Sequence, residues 1–153
     1  MDLQSGPIVS KYSGACVTPV KSFVVFGDSV DVLVNGSMSG GSSAVIRQHN
    51  LPGDGPPPHM HTREDETFLV LEGDFEFLVA GQWKPMPRGE PIFAPRGHIH
   101  TFRNSGSTPG KLCVFISPAG FEDYLEELSH YSPATDMPKI LEISERYGIS
   151  FYL

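Results

Sequence analysis

Glycine and proline break this chain into short runs. The sequence holds 16 glycines and 14 prolines in 153 residues, and both are poor helix formers that punctuate strands and turns. Between the breaks lie β-branched and aromatic segments: Lys21 to Gly27, Val30 to Val34, Ser43 to His49, Thr67 to Leu71, Phe75 to Val79, Pro91 to Ala94, His98 to Asn104 and Lys111 to Ser117. That composition predicts strands. Asn35-Gly36 and Pro95-Arg96-Gly97 predict turns, Ser37 to Ser43 a loop, and Glu72-Gly73-Asp74 the tip of a hairpin. Gly81-Gln82, Pro85, Pro87 and Gly89 predict a further turn and broken chain.

Towards the C-terminus the hydrophobic period changes. Phe121, Tyr124, Leu125 and Leu128 recur at the spacing of one helix face, with Glu122, Asp123, Glu126 and Glu127 on the other side. A second short helix is predicted from Pro138 to Tyr147, stopped by Gly148. The expected fold class is all-β: a jelly-roll β-barrel with one or two C-terminal helices packed outside. The expected divisions are an N-terminal arm (1–20), the barrel (21–119) and a C-terminal helical segment packed on it (120–153).

Charge narrows the partners. The net charge is −7, and lysines and arginines are scattered, so no nucleic-acid partner is expected. An acidic surface also argues against an anionic membrane, and no apolar run approaches the roughly 20 residues of a membrane span. The start of the chain lacks a basic segment followed by an apolar one, so the cytoplasm is the expected compartment. Asn35-Gly36-Ser37 fits a glycosylation sequon but reads better as a turn. Cys16 and Cys113 form no Cys-x-x-Cys pair, so neither a zinc cluster nor a redox motif is indicated.

The chemistry-bearing residues fall in two stretches. In the first, His59 and His61 alternate, so on a strand both imidazoles point to one face. Glu66 follows after a short polar segment. In the second, His98-Ile99-His100 supplies a candidate fourth ligand, His100. A single histidine on an apolar face is more often a satisfied core residue, and one His-x-His pair is weak evidence. The pair together with a Pro-rich approach, a nearby carboxylate and a distant second pair points to one divalent transition metal ion: iron, manganese, nickel, copper or zinc.

The spacing of these stretches is specific. Gly53, His59, His61, Glu66 and Gly73 follow the pattern Gly, five residues, His-x-His, four residues, Glu, six residues, Gly. Gly89, Pro95, Gly97, His100 and Asn104 follow Gly, five residues, Pro-x-Gly, two residues, His, three residues, Asn. These are the two motifs of the cupin superfamily. The chain resembles small single-domain cupins similar to quercetin dioxygenase-like proteins. The resemblance implies a cupin-type jelly roll with His59, His61, Glu66 and His100 as metal ligands. It also implies Glu66 as a catalytic residue that accepts a proton from a substrate hydroxyl, a role that a raised carboxylate pKa near an apolar cavity would suit. Asn104 reads as a turn or hydrogen-bonding residue, and a homodimer is the expected assembly.

Strand parity suggests the cavity lining. Phe68 shares a face with Glu66, and Phe102 with His100. Arg47 with His49, Phe75 with Phe77, and Cys113 with Phe115 are further candidates, and His98 shares the parity of His100. The candidate substrate contacts are therefore Arg47, His49, Phe68, Phe77, His98, Phe102 and Phe115; an inward Arg47 would bind a substrate carboxylate, and an outward one would be a solvated charge. Four protein ligands leave positions open for a small-molecule substrate and for dioxygen. The expected function is a metal-dependent dioxygenase acting on a small phenolic, enolic or diketone-type compound. The alternatives are a non-redox cyclase, isomerase or lyase, and a non-catalytic small-molecule-binding cupin, since one fold carries many functions.

Overall fold

A computed structural model describes residues 18–152 of the chain, so residues 1–17, which hold most of the predicted arm and Cys16, lie outside the described residues. The architecture is an all-β jelly roll. One sheet has six strands in the order β1 (Lys21–Val25), β2 (Asp28–Val34), β3 (Ala44–Asn50), β10 (Gly110–Ser117), β5 (Asp65–Glu72) and β8 (Ile92–Ala94). Facing it are a three-stranded sheet, β7 (Gln82–Met86), β6 (Phe75–Val79) and β9 (Phe102–Asn104), and a two-stranded one, β11 (Ile149–Phe151) and β4 (His59–His61). Reciprocal backbone bonds between His59 and His100 link these two into one wall. All the strand pairings are antiparallel.

Alternation along the strands decides what lies inside. Val30 and Val32 of β2, Ile46 of β3, Phe68 and Val70 of β5, and Leu112, Val114 and Ile116 of β10 are buried between the walls. Each such side chain contributes about 1.5–3 kcal/mol by leaving water. The intervening residues face outward. Cross-strand register therefore puts Arg47 opposite Asp31 on one side and Cys113 on the other, and Phe115 opposite Val45 and Thr67. Gly73, the last glycine of the first motif, has φ of 87° and sits so close to β10 that a Cβ would lie 2.9 Å from the Cα of Gly110. Any side chain there would be both strained and overpacked.

The helices follow the predicted period. α2 (Phe121–Leu128) and α3 (Met137–Arg146) bury Phe121, Tyr124, Leu125, Leu128, Ile140 and Ile143, and the Tyr124 hydroxyl meets Ser144 Oγ at 2.9 Å between them.

Four local expectations change. The residues after Asn35 form a one-turn helix, α1 (Gly36–Ser39), because Asn35 Oδ1 accepts from Met38 N at 3.0 Å and caps it. β7 forms despite Pro85, because it is an edge strand and tolerates a missing donor. The strand expected from His98 to Asn104 is regular only over Phe102–Asn104. β11, three residues long, was hidden from any periodicity argument and exists through its pairing with β4.

Candidate metal centre

The two ligand strands are aimed by their surroundings. His59 and His61 project to the same side of β4, and Glu66 leads the inward face of β5. His100 reaches the same point because its backbone pairs with that of His59, N–H to carbonyl in both directions, at 3.1 and 2.9 Å. One ligand atom from each of the four residues lies within 4.8 Å of the others, and all four residues are buried.

Hydrogen bonds select the ligating nitrogen. His59 Nδ1 is 2.8 Å from Pro57 O, and His100 Nδ1 is 3.1 Å from His98 O. Carbonyl oxygens only accept, so Nδ1 carries the hydrogen in both rings and Nε2 is left with its lone pair. His61 Nδ1 faces the carboxylate of the buried Glu64 at 3.3 Å, which imposes the same choice. The Pro-rich loop is thus a rack for carbonyls: Pro57 O holds His59, and Pro56 O is itself held by the Thr101 hydroxyl.

The donor set fits a cation. His61 Nε2 is buried with no hydrogen-bond partner, although Glu66 Oε2 lies 3.4 Å away. His100 Nε2 and Glu66 Oε2 sit 2.8 Å apart, and two acceptors that close need a positive charge between them. Three imidazole nitrogens and one carboxylate oxygen suit a divalent transition metal, and His–carboxylate and His–carbonyl contacts behind the ligands are the usual means of orienting them.

The electrostatics point the same way. Burial, reinforced by repulsion from His100 and His61, pushes the His59 pKa down to about 4, so this ring stays neutral and available. Burial also opposes a charge on His61, but Glu66 and then Glu64 outweigh it and raise that ring. For Glu66 burial favours the protonated form, yet His61 and the contact with His100 prevail and hold the carboxyl below its ordinary value. The expected upward shift of Glu66 is therefore corrected: it is an anion first, which suits ligation.

A cavity of about 340 Å³ adjoins the centre, and His59 and Glu66 form part of its wall. Most of the lining is apolar, including Phe68, Phe102, Val114, Phe121, Leu128 and Phe151. The C-terminal segment supplies much of it. The Phe121 ring meets His61 edge-on at 4.8 Å between centroids, and Phe151 lies 6.2 Å from His59.

Several predicted contacts sit elsewhere. Arg47 and His49 do share a face, but it is the outer one, where both meet Asp31, at 2.7 and 3.3 Å. The inward residues of β3 are Ile46, Gln48 and Asn50, because pairing with β2 and β10, and not the strand's own residues, sets which parity faces the opposite wall. Phe115 is 46% exposed for the same reason, and Cys113, though buried, does not line the cavity. His98 is exposed: it lies in the turn before His100, where the parity of a strand does not hold. Phe77 is buried and parallel to the His100 ring at 6.0 Å, backing the ligand without lining the cavity. Phe68 and Phe102 do line it. Asn104 is a bracket: its amide nitrogen donates to Asn50 O and Thr108 O, each at 2.9 Å.

Sequence reasoning missed Glu64, Phe121 and Phe151 as site residues. Only Glu64, an acid three positions after His61, carried a local signal.

Comparison with known proteins agrees with this geometry. Residues 47–116 match the family model described as Cupin domain, Cupin_2. An uncharacterized protein of Aquifex aeolicus is 36% identical over 58 residues, 38% of this chain and 48% of that one. Germin-like protein subfamily 2 member 2 of Arabidopsis thaliana is 34% identical over 76 residues, 46% of this chain and 35% of that one. The matches thus span half or less of these relatives' length. Among solved structures, the polyketide cyclase RemF of Streptomyces resistomycificus superposes with a TM-score of 0.58 at 22% identity, over 68% of this chain and 78% of that one. The fold and the four-residue centre define a β-barrel with a buried cluster that could hold a metal. The cupin resemblance holds, with residues 47–116 forming the matched cupin domain.

Proposed function

We propose that this cupin is a metal-dependent dioxygenase acting on a small phenolic, enolic or diketone-type compound. The observation that carries the proposal is the convergence of His59, His61, Glu66 and His100 on one point in the wall of a largely apolar cavity. A divalent transition ion held by these residues would supply a centre with positions left open to substrate and dioxygen.

The chain's own groups prepare that chemistry. The ligand rings are held by Pro57 O, His98 O and Glu64, so little reorganisation accompanies binding. Phe121 and Phe151 keep water from one side of the centre. Glu66 lines the cavity and would accept the proton of a substrate hydroxyl, as a carboxylate whose lowered pKa makes it a weak base. Oxygen uptake by iron-, nickel- or copper-loaded protein across a panel of phenols and diketones tests the reading. Uptake with at least one compound is expected, and none with any metal-loaded sample would sink it.

A second reading is a non-redox cyclase, isomerase or lyase. Its support is the likeness of fold to a polyketide cyclase. Oxygen-independent turnover of a diketone by zinc- or manganese-loaded protein would favour it over the first.

A further inference from the structure

The polar lining of the cavity is concentrated where β2, β3 and the Pro-rich loop meet. Asp28, Gln48, Asn50 and Asp54 all contribute to the wall there. Asn50 is 2% exposed, and its Nδ2 donates to Asp28 Oδ2 at 2.6 Å. That bond fixes which way the amide points, and Oδ1 is left with no hydrogen-bond partner. Asp28 Oδ1 accepts from Leu51 N at 3.3 Å, and Asp54 is the second acid of this part of the wall.

This group is rich in acceptors, and no cationic side chain offsets it. Among the described residues no lysine or arginine lines the cavity, and the only histidine that does is the candidate ligand His59. A carboxylate or phosphate on the substrate would meet two acids here with no compensating cation. A hydroxyl would meet the carboxylates as donor to acceptor, with the Asn50 amide holding Asp28 in place. An outward-facing Arg47 removes the one group that would have recognised an anion.

We propose that Asp28, Asn50 and Asp54, with Gln48 beside them, form a recognition site for a hydroxyl of a neutral, hydroxylated substrate whose body fills the apolar part of the cavity. The site selects against anionic and fully etherified analogues. It deepens the proposed function by naming the polar end of the substrate, and it rests on that reading only for the identity of the cavity as the place of turnover.

The test is calorimetric titration of the full chain with three probes: a naphthalenediol, its dimethyl ether and the matching naphthalene dicarboxylate. Each is run on metal-loaded and on chelator-treated protein, because the metal itself can favour a hydroxyl. In the chelator-treated arm the diol binds about tenfold tighter than the ether, and the dicarboxylate binds more weakly than either. Asp54→Ala and Gln48→Leu bring the diol-to-ether ratio towards one while leaving the thermal midpoint near that of the parent. Asp54 is half-buried, so its truncation does not endanger the fold. The proposal is overturned if the ether or dicarboxylate binds as well as the diol, if both variants leave the ratio intact, or if the diol fails to bind at millimolar concentration. Equal binding of diol and ether by the parent, with its metal content intact, would overturn this site alone, and a diol preference in the parent without oxygen uptake would overturn the dioxygenase reading alone.

Discussion

The candidate metal centre and the cover over its cavity are built on different rules. The centre draws on two stretches with fixed spacing, and each histidine is held from behind by one named oxygen: Pro57 O, Glu64 Oε2 or His98 O. The cover, made of α2, α3 and β11, has no such points. It touches the cavity through a broad set of apolar side chains from Phe121 to Phe151. Ligation tolerates little displacement, whereas an apolar wall needs only volume and shape. The centre should therefore fail sharply at single atoms, and the cover should fail gradually, through stability.

Substitutions can break that contrast. The largest effect is expected from His100→Ala, which removes a ligand. Metal affinity should fall by at least about 100-fold, as read by competition with a chromogenic chelator, while circular dichroism stays close to that of the parent. Ile143→Ala in the cover empties space at a side chain with no exposure. It should cost about 2–5 kcal/mol in chemical denaturation without changing the metal stoichiometry of the folded fraction. Loss of metal in proportion would erase the distinction between the two regions.

Acid adds a signed test. In metal-free protein His59 stays neutral down to about pH 4, whereas the unfolded chain protonates it near 6.5. Between those values the unfolded state binds the proton first, so stability falls as pH drops through that window and levels off below it. The fall should be on the order of 3 kcal/mol larger in the parent than in His59→Asn, measured by urea titrations at a series of pH values. An equal fall in both would remove His59 as the cause. The smallest effect is expected at Glu64. Glu64→Gln keeps the size and one acceptor oxygen but removes the charge behind His61, and metal affinity should fall about tenfold. No change would mean that the 3.3 Å contact does not orient the ring.

Much of this molecule was legible in the sequence. The grouping of His59, His61, Glu66 and His100, both motif turns and the two amphipathic helices follow from spacing and period, which are local quantities. Parity worked where a strand is continuous, as for Phe68 after Glu66. It failed for Arg47, His49, Cys113 and Phe115, where the inward phase is set by neighbouring strands and not by the strand's own residues. It failed again for His98, where the chain turns before the strand begins. β11 and the sheltering of His59 by Phe151 depend on residues about 90 positions apart meeting in space, and no local pattern announces that. Gly148 does hint at it. A Cβ there would lie 2.3 Å from Thr62 Oγ1, so the glycine marks where the C-terminal strand must approach β4.

The claim on which the rest depends is that these four residues hold a transition metal. Elemental analysis of the parent and of His61→Ala, each purified without added metal and then dialysed against iron, manganese, nickel, copper or zinc, tests it directly. The account predicts about one equivalent per chain in the parent for at least one of these metals, and background levels in the variant. A folded parent that takes up none of them, or a variant that retains as much as the parent, would contradict it.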